Sequence, residues 1–149
     1  MLTIDPGFAR LQGTYAGTMF YHDQFQNKDL EMPIQVRFGE GVYDTKYRFS
    51  PPKYQWAVDC IEISADGTQW VESNLTEKFV FKLTNWSEFQ KGKSDWFEME
   101  RTQLTSNFVG LFRRRWILAP NGDLISEKWL KPNGKEWEVS HRMVLKRNL

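Results

Sequence analysis

The sequence predicts an all-β protein, a single antiparallel up-and-down meander β-barrel of about eight to ten strands with little helix. Three observations support this. Apolar and polar residues alternate with a period of two along most of the 149-residue chain, and no long window keeps the 3.6-residue period of a helix. Pro-Asn-Gly occurs at 120–122 and again at 132–134, between aromatic and β-branched stretches. Short turns separate successive strands, and closing such a meander removes its exposed edges.

Turn residues delimit the predicted strands along the whole chain. Short connections occur at Gly39-Glu40-Gly41, at Ser50-Pro51-Pro52-Lys53 and at Ala65-Asp66-Gly67. The last of these has the same type I turn with a left-handed glycine that Pro-Asn-Gly favours. The ten candidate strands are residues 11–21, 32–38, 42–49, 54–64, 68–73, 78–83, 95–104, 108–118, 123–130 and 135–146.

The chain is expected to form one domain over residues 1–149, because its length suits a single core. Residues 1–10 are predicted as an N-terminal arm. The longer polar segments 22–31 and 85–94 are predicted as rim loops. One short helix is expected, either before Leu11 or within residues 86–91. A two-sheet sandwich is the competing architecture, but only the two rim loops are long enough for its crossovers.

The two Pro-Asn-Gly loops predict the pairing of the last three strands. Proline presets φ for the first corner, and glycine takes the left-handed position that closes a three-residue loop. The first loop then places Arg115 opposite Glu127, and Arg113 opposite Trp129. The second loop places Trp129 opposite Trp137. Two-residue loops would shift every pair by one and mix apolar with polar residues on the same face.

This pairing predicts an inner barrel face that is apolar but contains charges. Its members are Leu111, Arg113, Arg115, Ile117, Ile125, Glu127, Trp129, Trp137, Val139, His141, Met143 and Leu145. Buried charges are costly unless they are paired, so the inward arginines predict an internal site for a small apolar anion. The candidate ligand-binding residues are Arg113, Arg115, Glu127, Trp129, Trp137 and His141. The alternative is a structural ion pair between Arg115 and Glu127, with His141 satisfied by a neighbour.

The other face of strand 108–118 carries the rings of Phe108, Phe112 and Trp116. Exposed rings on one strand suggest a cover, either by the N-terminal segment or by a second subunit. A homodimer through Phe112 and Trp116 is therefore one expectation. Arg114 also lies on this face, apart from Arg113 and Arg115, which argues against a continuous phosphate-binding stripe.

Composition excludes several classes of protein. Lys and Arg number 20 and Asp and Glu 19, so no general attraction to nucleic acid or to membranes is expected. Cys60 is the only cysteine, which rules out an internal disulfide and a cysteine-based metal site. No apolar run approaches the ~20 residues of a membrane span. The first residues lack the features of a signal peptide, which predicts a cytoplasmic protein unless the natural chain begins further upstream.

Common catalytic and metal-binding motifs are absent from the sequence. The sequence contains no glycine-rich phosphate loop, no nucleophile elbow and no His-Glu-x-x-His. The two histidines, His22 and His141, lie in distant segments, so no metal site and no cofactor are predicted. Glu98 and Glu100 lie about 7 Å apart on one strand face. That spacing suits glycoside chemistry, but alternating acids on a solvated face are far more common, and no catalytic residue is assigned.

The layout resembles the calycin superfamily, which includes the lipocalins and the fatty-acid-binding proteins. Gly13-Thr14-Tyr15 opens the first strand where lipocalins have Gly-x-Trp, and the closing strand ends in basic residues. The resemblance implies a ligand-binding barrel in which Arg142 or Arg147 packs across Tyr15. Fatty-acid-binding proteins hold a carboxylate with Arg-x-Tyr in the last strand, whereas this chain has Arg142-Met143-Val144 there.

The leading hypothesis is a carrier or sensor that binds a small apolar, anionic ligand inside the barrel. The first alternative is a protein- or sugar-interaction module with a filled barrel. The second is an enzyme of isomerase or lyase type built in the cavity, with Glu127 and His141 as acid and base. The sequence leaves the enzyme question open and favours the non-catalytic interpretation.

Overall fold

A computed structural model describes residues 5–23, 26–50, 53–105 and 108–148, which form a closed ten-stranded antiparallel barrel. Each strand pairs with its neighbours in sequence, and the first pairs with the last, so the all-β meander is confirmed. The strands are β1 (Gly13–Asp23), β2 (Lys28–Gly39), β3 (Val42–Ser50), β4 (Lys53–Ile63), β5 (Gln69–Ser73), β6 (Lys78–Thr84), β7 (Trp96–Thr105), β8 (Phe108–Leu118), β9 (Leu124–Pro132) and β10 (Glu138–Asn148).

Two short helices occur within the described residues, one at each place where a single helix was expected. The first, α1, spans Pro6–Leu11 and the second, α2, spans Trp86–Gln90. Asp5 caps α1 by accepting a hydrogen bond from the Gly7 amide at 2.8 Å. Neither helix is long and apolar enough to cross a membrane.

The helices pack together at one end of the barrel and fill it with rings. Phe8 of α1 lies edge-on to Trp70 and Trp86, at centroid distances of 5.7 and 5.6 Å. Trp86 and Phe89 of α2 pack against Phe97 of β7. Trp86 is only 1 % exposed, although residues 85–94 were predicted as a rim loop. We call Phe8, Trp70, Trp86, Phe89 and Phe97 the aromatic plug.

The first Pro-Asn-Gly loop has the predicted geometry. Gly122 has φ of 91°, and its amide donates to the Ala119 carbonyl at 2.9 Å. Arg115 lies opposite Glu127 and Arg113 opposite Trp129, as predicted. Glycine is needed at the closing position because an L side chain is strained at positive φ.

The second loop also has its glycine at positive φ, but the pairing beyond it was predicted wrongly. Trp129 lies opposite Val139 rather than Trp137, and β10 begins only after Trp137. The register then shifts between Val139 and His141, so a β-bulge places one extra residue in β10. His141 consequently lies opposite Lys128.

The bulge explains why the predicted inner face was wrong. The extra residue shifts the pairing of β10 with β9 by one position. His141, Met143 and Leu145 do point inward, as predicted. The inward residues of β8 and β9, by contrast, are the alternate set. That set includes Phe112, Arg114, Trp116, Leu118, Leu124, Ser126 and Lys128. The predicted face combined the outer side of β8 and β9, including Trp137 and Val139 next to it, with the inner side of β10 beyond the bulge.

The expected homodimer surface is corrected by the same finding. Phe112 is 8 % exposed and Trp116 is 2 % exposed, because both rings pack inside the barrel. Trp116 lies against Phe38 and Tyr43, at centroid distances of 5.3 and 5.7 Å. These rings are therefore not available to a second subunit.

The seam between β1 and β10 is fastened by one buried tyrosine. Tyr15 donates to the Leu11 carbonyl at 2.7 Å and accepts from the Arg147 guanidinium at 2.5 Å. Arg147 also donates to the Arg10 carbonyl at 2.9 Å, and its guanidinium lies 5.2 Å from the centre of the Tyr15 ring. Of the two arginines expected to pack across Tyr15, Arg147 is the one that does so.

Candidate functional site

A cavity of about 610 Å³ occupies the barrel interior beyond the aromatic plug. Its wall includes Glu77 in the exposed β5–β6 turn, so it reaches the barrel end away from the two helices. Much of its lining is apolar, including Met19, Met32, Ile34, Phe79, Phe112 and Met143. Cavities of this volume hold a small organic molecule.

Basic side chains line one wall of this cavity. Arg101 on β7, Arg114 on β8 and Lys128 on β9 all point into it. Arg114 lies opposite Lys128, and Lys128 lies opposite His141 on β10. On the other side of β10, His141 lies opposite Tyr21 of β1, and the centres of the two rings are 6.2 Å apart. We call Arg101, Arg114 and Lys128 the cationic wall.

The cationic wall gathers around the ring of Phe112. The Lys128 Nζ lies 4.9 Å from the ring centre, and the guanidinium carbons of Arg101 and Arg114 lie 5.4 and 5.6 Å from it. A cation over an aromatic face is modestly stabilised, but the ring neutralises no charge. Within the described part of the chain, none of these three cations has a carboxylate oxygen within 4.0 Å.

Unpartnered polar atoms concentrate on this wall. The Nε atoms of Arg101 and Arg114 are buried and have no hydrogen-bond partner among the described residues, and the same holds for Trp116 Nε1 and Ser126 Oγ. Trp116 and Ser126 lie opposite each other on β8 and β9. Buried donors without acceptors are rare, and each costs free energy until a partner is supplied.

Burial and mutual repulsion disfavour positive charge on this wall. Burial, together with Arg114 and Arg101, lowers the pKa of Lys128 from 10.5 to about 8. Burial, together with Lys128 and Arg114, lowers the pKa of His141 from 6.5 to about 4. His141 is therefore neutral at pH 7, and the arginines carry the permanent charge.

Acidic side chains line the opposite wall. Asp59 on β4 and Glu72 on β5 face the cavity from the strands across the barrel from β9. Glu72 accepts a hydrogen bond from Trp70 Nε1 at 2.9 Å. Burial raises the pKa of the Glu72 carboxyl, and the charge of Arg114 opposes that rise. The two walls therefore place acidic and basic groups on opposite sides of the apolar space.

The structure divides the predicted site residues between two places. His141 lines the cavity, whereas Arg113, Arg115, Glu127, Trp129 and Trp137 surround an outer groove of about 230 Å³. The name outer groove refers below to the site formed by these last five residues. Five of the six residues are thus together, but on the outside of the barrel.

The two arginines of the outer groove are paired with carboxylates of β7, so Arg115 does not form the ion pair with Glu127 that was the alternative expectation. Arg113 binds Glu100 through two hydrogen bonds of 3.0 and 2.8 Å. Arg115 binds Glu98 through two of 2.8 and 2.5 Å. The Arg113 guanidinium also lies 4.3 Å from the centre of the Trp137 ring. Glu98 and Glu100, the carboxylates with glycosidase-like spacing, therefore each hold one arginine.

Sequence reasoning missed the cationic wall. Arg114 was assigned to the outer face together with Phe112 and Trp116, and these are the residues that point inward. The usable signal was the set of large rings on that side of β8. Two bulky aromatic residues on either side of one arginine mark the buried side of a strand more strongly than two successive arginines between Leu111 and Ile117 do.

Comparison with known proteins shows the fold. The crystal structure of Rv2717c from M. tuberculosis is similar over 99 % of this chain and 100 % of its own, with a TM-score of 0.62 and 14 % sequence identity. No protein-family model matches the chain, and no curated protein matches it either. This chain therefore shares with a solved structure a ten-stranded antiparallel barrel, an architecture compatible with a calycin-like barrel.

Proposed function

We propose that the protein binds a small apolar anion inside the barrel, as a carrier or sensor. The observation that carries the proposal is the cationic wall, with three basic side chains that face a largely apolar cavity and have no carboxylate oxygen of a described residue within 4.0 Å. A bound carboxylate would supply the acceptors that the buried Nε atoms of Arg101 and Arg114 lack. The calycin resemblance supports the same interpretation, and it makes fatty acids the first ligands to test.

The sizes and energies agree with such a ligand. Cavities of about 300–1,000 Å³ are typical of small-molecule sites, and this one measures about 610 Å³. One hydrogen bond between an arginine and a carboxylate contributes roughly 1.5–3 kcal/mol, which corresponds to a tenfold to hundredfold gain in affinity. The apolar lining from Met19, Met32, Phe79 and Met143 would cover the hydrocarbon part.

Fatty acids of graded length, titrated against intrinsic tryptophan fluorescence, test this proposal. Arg114→Met is expected to weaken binding about tenfold to a hundredfold, because it removes an inward cation of the wall. Arg113→Met is the matched control, since the neighbouring residue points outward into the outer groove. Wild-type protein that binds none of the acids would refute the proposal, as would equal affinity in wild type and Arg114→Met.

The outer groove favours a second candidate, an interaction surface for sugars. Trp129 and Trp137 are partly buried beside two paired arginines, and rings of this kind offer both an apolar face and a polar edge. The same two variants distinguish the candidates. Oligosaccharide binding that is lost in Arg113→Met and kept in Arg114→Met would assign the function to the outer groove.

A further inference from the structure

We propose that Lys128 captures apolar aldehydes covalently, forming an imine between its Nζ and the aldehyde carbon inside the barrel. The inference rests on the proposed function only in that the cavity must admit an apolar ligand. It assigns to that cavity a second class of ligand, carbonyl compounds, and a chemical step that reversible carriage does not need.

The position of Lys128 carries the inference. β9 directs the side chain into the cavity, where Nζ lies against the face of Phe112 at 4.9 Å. Among the described residues no carboxylate oxygen lies within 4.0 Å of the amine, and the residues opposite Lys128 on the two neighbouring strands are Arg114 and His141. An amine that is held by no anion and borders an apolar space is free to act as a nucleophile.

The surrounding charges keep part of this amine unprotonated. Burial, followed by Arg114 and Arg101, lowers the pKa of Lys128 to about 8. At pH 7 the neutral fraction is then roughly one tenth, on the order of a hundredfold or more above that of a solvated lysine. Lysines that form Schiff bases are activated in this way, by desolvation or by a second cation.

The reaction balances without an added reagent. The Nζ lone pair attacks the aldehyde carbon, and one hydrogen of the amine moves to the carbonyl oxygen to give a carbinolamine. Loss of that oxygen with the two amine hydrogens releases one water and leaves the C=N bond, so nothing is oxidised or reduced. Neutral His141, opposite Lys128 on β10, is placed to relay protons between nitrogen and oxygen.

The same cations predict the state of the adduct. A protonated imine would restore the positive charge beside Arg114 and Arg101 that the wall disfavours. The imine is therefore expected to stay neutral at pH 7. Because hydrolysis of an imine proceeds through its protonated form, a neutral imine in this cavity should persist longer than one on a surface lysine.

Trapping with decanal and sodium borohydride tests the proposal. Borohydride reduces the imine to a stable secondary amine, and peptide mapping by mass spectrometry locates it. The expected result is one adduct per chain on Lys128, formed at least about tenfold faster than on other lysines at pH 7. Lys128→Arg keeps the charge but cannot form the adduct, and Lys82→Arg removes an exposed lysine on the outer face as the matched control.

Each outcome decides between the two proposals. Labelling spread evenly over surface lysines, and unchanged in Lys128→Arg, would overturn the covalent capture. Decanoate titrated in parallel separates the failures. Decanoate binding without an adduct on Lys128 defeats this inference alone, whereas failure of both decanoate and decanal to enter the cavity defeats the proposed function as well. A circular dichroism spectrum and a decanoate affinity close to those of wild type in Lys128→Arg exclude misfolding as the cause of a lost adduct.

Discussion

At the scale of single residues, Tyr15 and Arg147 connect three parts of the chain. The tyrosine hydroxyl binds both the end of α1, through the Leu11 carbonyl, and the last strand, through Arg147. Arg147 adds a hydrogen bond to the Arg10 carbonyl. One guanidinium therefore joins the first helix, the first strand and the last strand.

Arg147→Met is expected to lower the free energy of unfolding by about 1.5–3 kcal/mol, because charged hydrogen bonds are lost and the Tyr15 hydroxyl loses a donor. Urea unfolding followed by circular dichroism measures this difference. Arg142→Met is the matched control, since that arginine is exposed on the same strand. An equal loss in both variants would contradict the role assigned to Arg147.

His141 predicts a pH dependence of stability. Its pKa is about 4 in the folded protein, because burial and the neighbouring Lys128 and Arg114 disfavour the imidazolium, whereas an unfolded histidine has 6.5. Between these values the unfolded chain binds more protons, so the free energy of unfolding falls as pH drops from about 6.5 to about 4. Above pH 6.5, neutral His141 makes its full contribution to the free energy of unfolding.

His141→Gln is expected to remove that part of the pH dependence, on the order of 2–3 kcal/mol between pH 7 and pH 4. Urea unfolding of both proteins at several pH values provides the comparison. The difference between the two curves isolates His141 from Glu72, whose raised pKa acts in the opposite direction. Curves that stay parallel down to pH 4 would show that His141 is protonated normally in the folded state.

At the scale of elements, α1 docks on α2 through a close backbone contact that leaves no room for a side chain at Gly7. A Cβ on Gly7 would lie 2.6 Å from Cη2 of Trp86, inside the van der Waals contact distance. The backbone of α1 therefore rests directly on the indole. The aromatic plug depends on this contact, because Phe8 reaches Trp70 and Trp86 from the next position of α1.

Gly7→Ala is expected to destabilise the protein by about 1–3 kcal/mol, since Trp86 or α1 must move. For a chain of this length each kcal/mol lowers the melting temperature by about 2–4 °C. Thermal unfolding and tryptophan fluorescence measure both effects. Gly39→Ala, where the nearest atom is Val42 Cβ at 3.9 Å, should leave the melting temperature nearly unchanged. If Gly7→Ala left the melting temperature and the tryptophan fluorescence unchanged, α1 would not dock on Trp86 as described.

The sequence predicts the positions of the strands well, but it does not predict which residues of β8 line the site. Alternation and turn glycines located all ten strands, because both signals are local. The face of β8 was assigned wrongly, because that choice depended on continuing the register past Trp137. The bulge after Val139 adds a residue that no local pattern reveals. A register shift of one residue exchanges the inner and outer faces of a strand. Arg113 was therefore predicted to point inward, whereas Arg114 does so.

At the scale of the whole molecule, the barrel is asymmetric along its axis and across it. The aromatic plug occupies one end, and the cavity opens towards the other. Across the barrel, Asp59 and Glu72 face the cationic wall. An anion inside is therefore drawn towards β8 and β9, where Arg114 and Lys128 lie side by side.

The seam between β1 and β10 also affects how the barrel is assembled. Tyr15 and Arg147 are 132 positions apart, so the pairing that closes the ring joins distant parts of the chain. Such a contact costs about 4 kcal/mol in loop-closure entropy and forms late. Until β10 arrives, β1 and β9 each present an unpaired edge, which is a template for intermolecular strand addition. Substitutions that prevent β10 from pairing would therefore lower the solubility of the protein during synthesis, even where they alter no ligand contact.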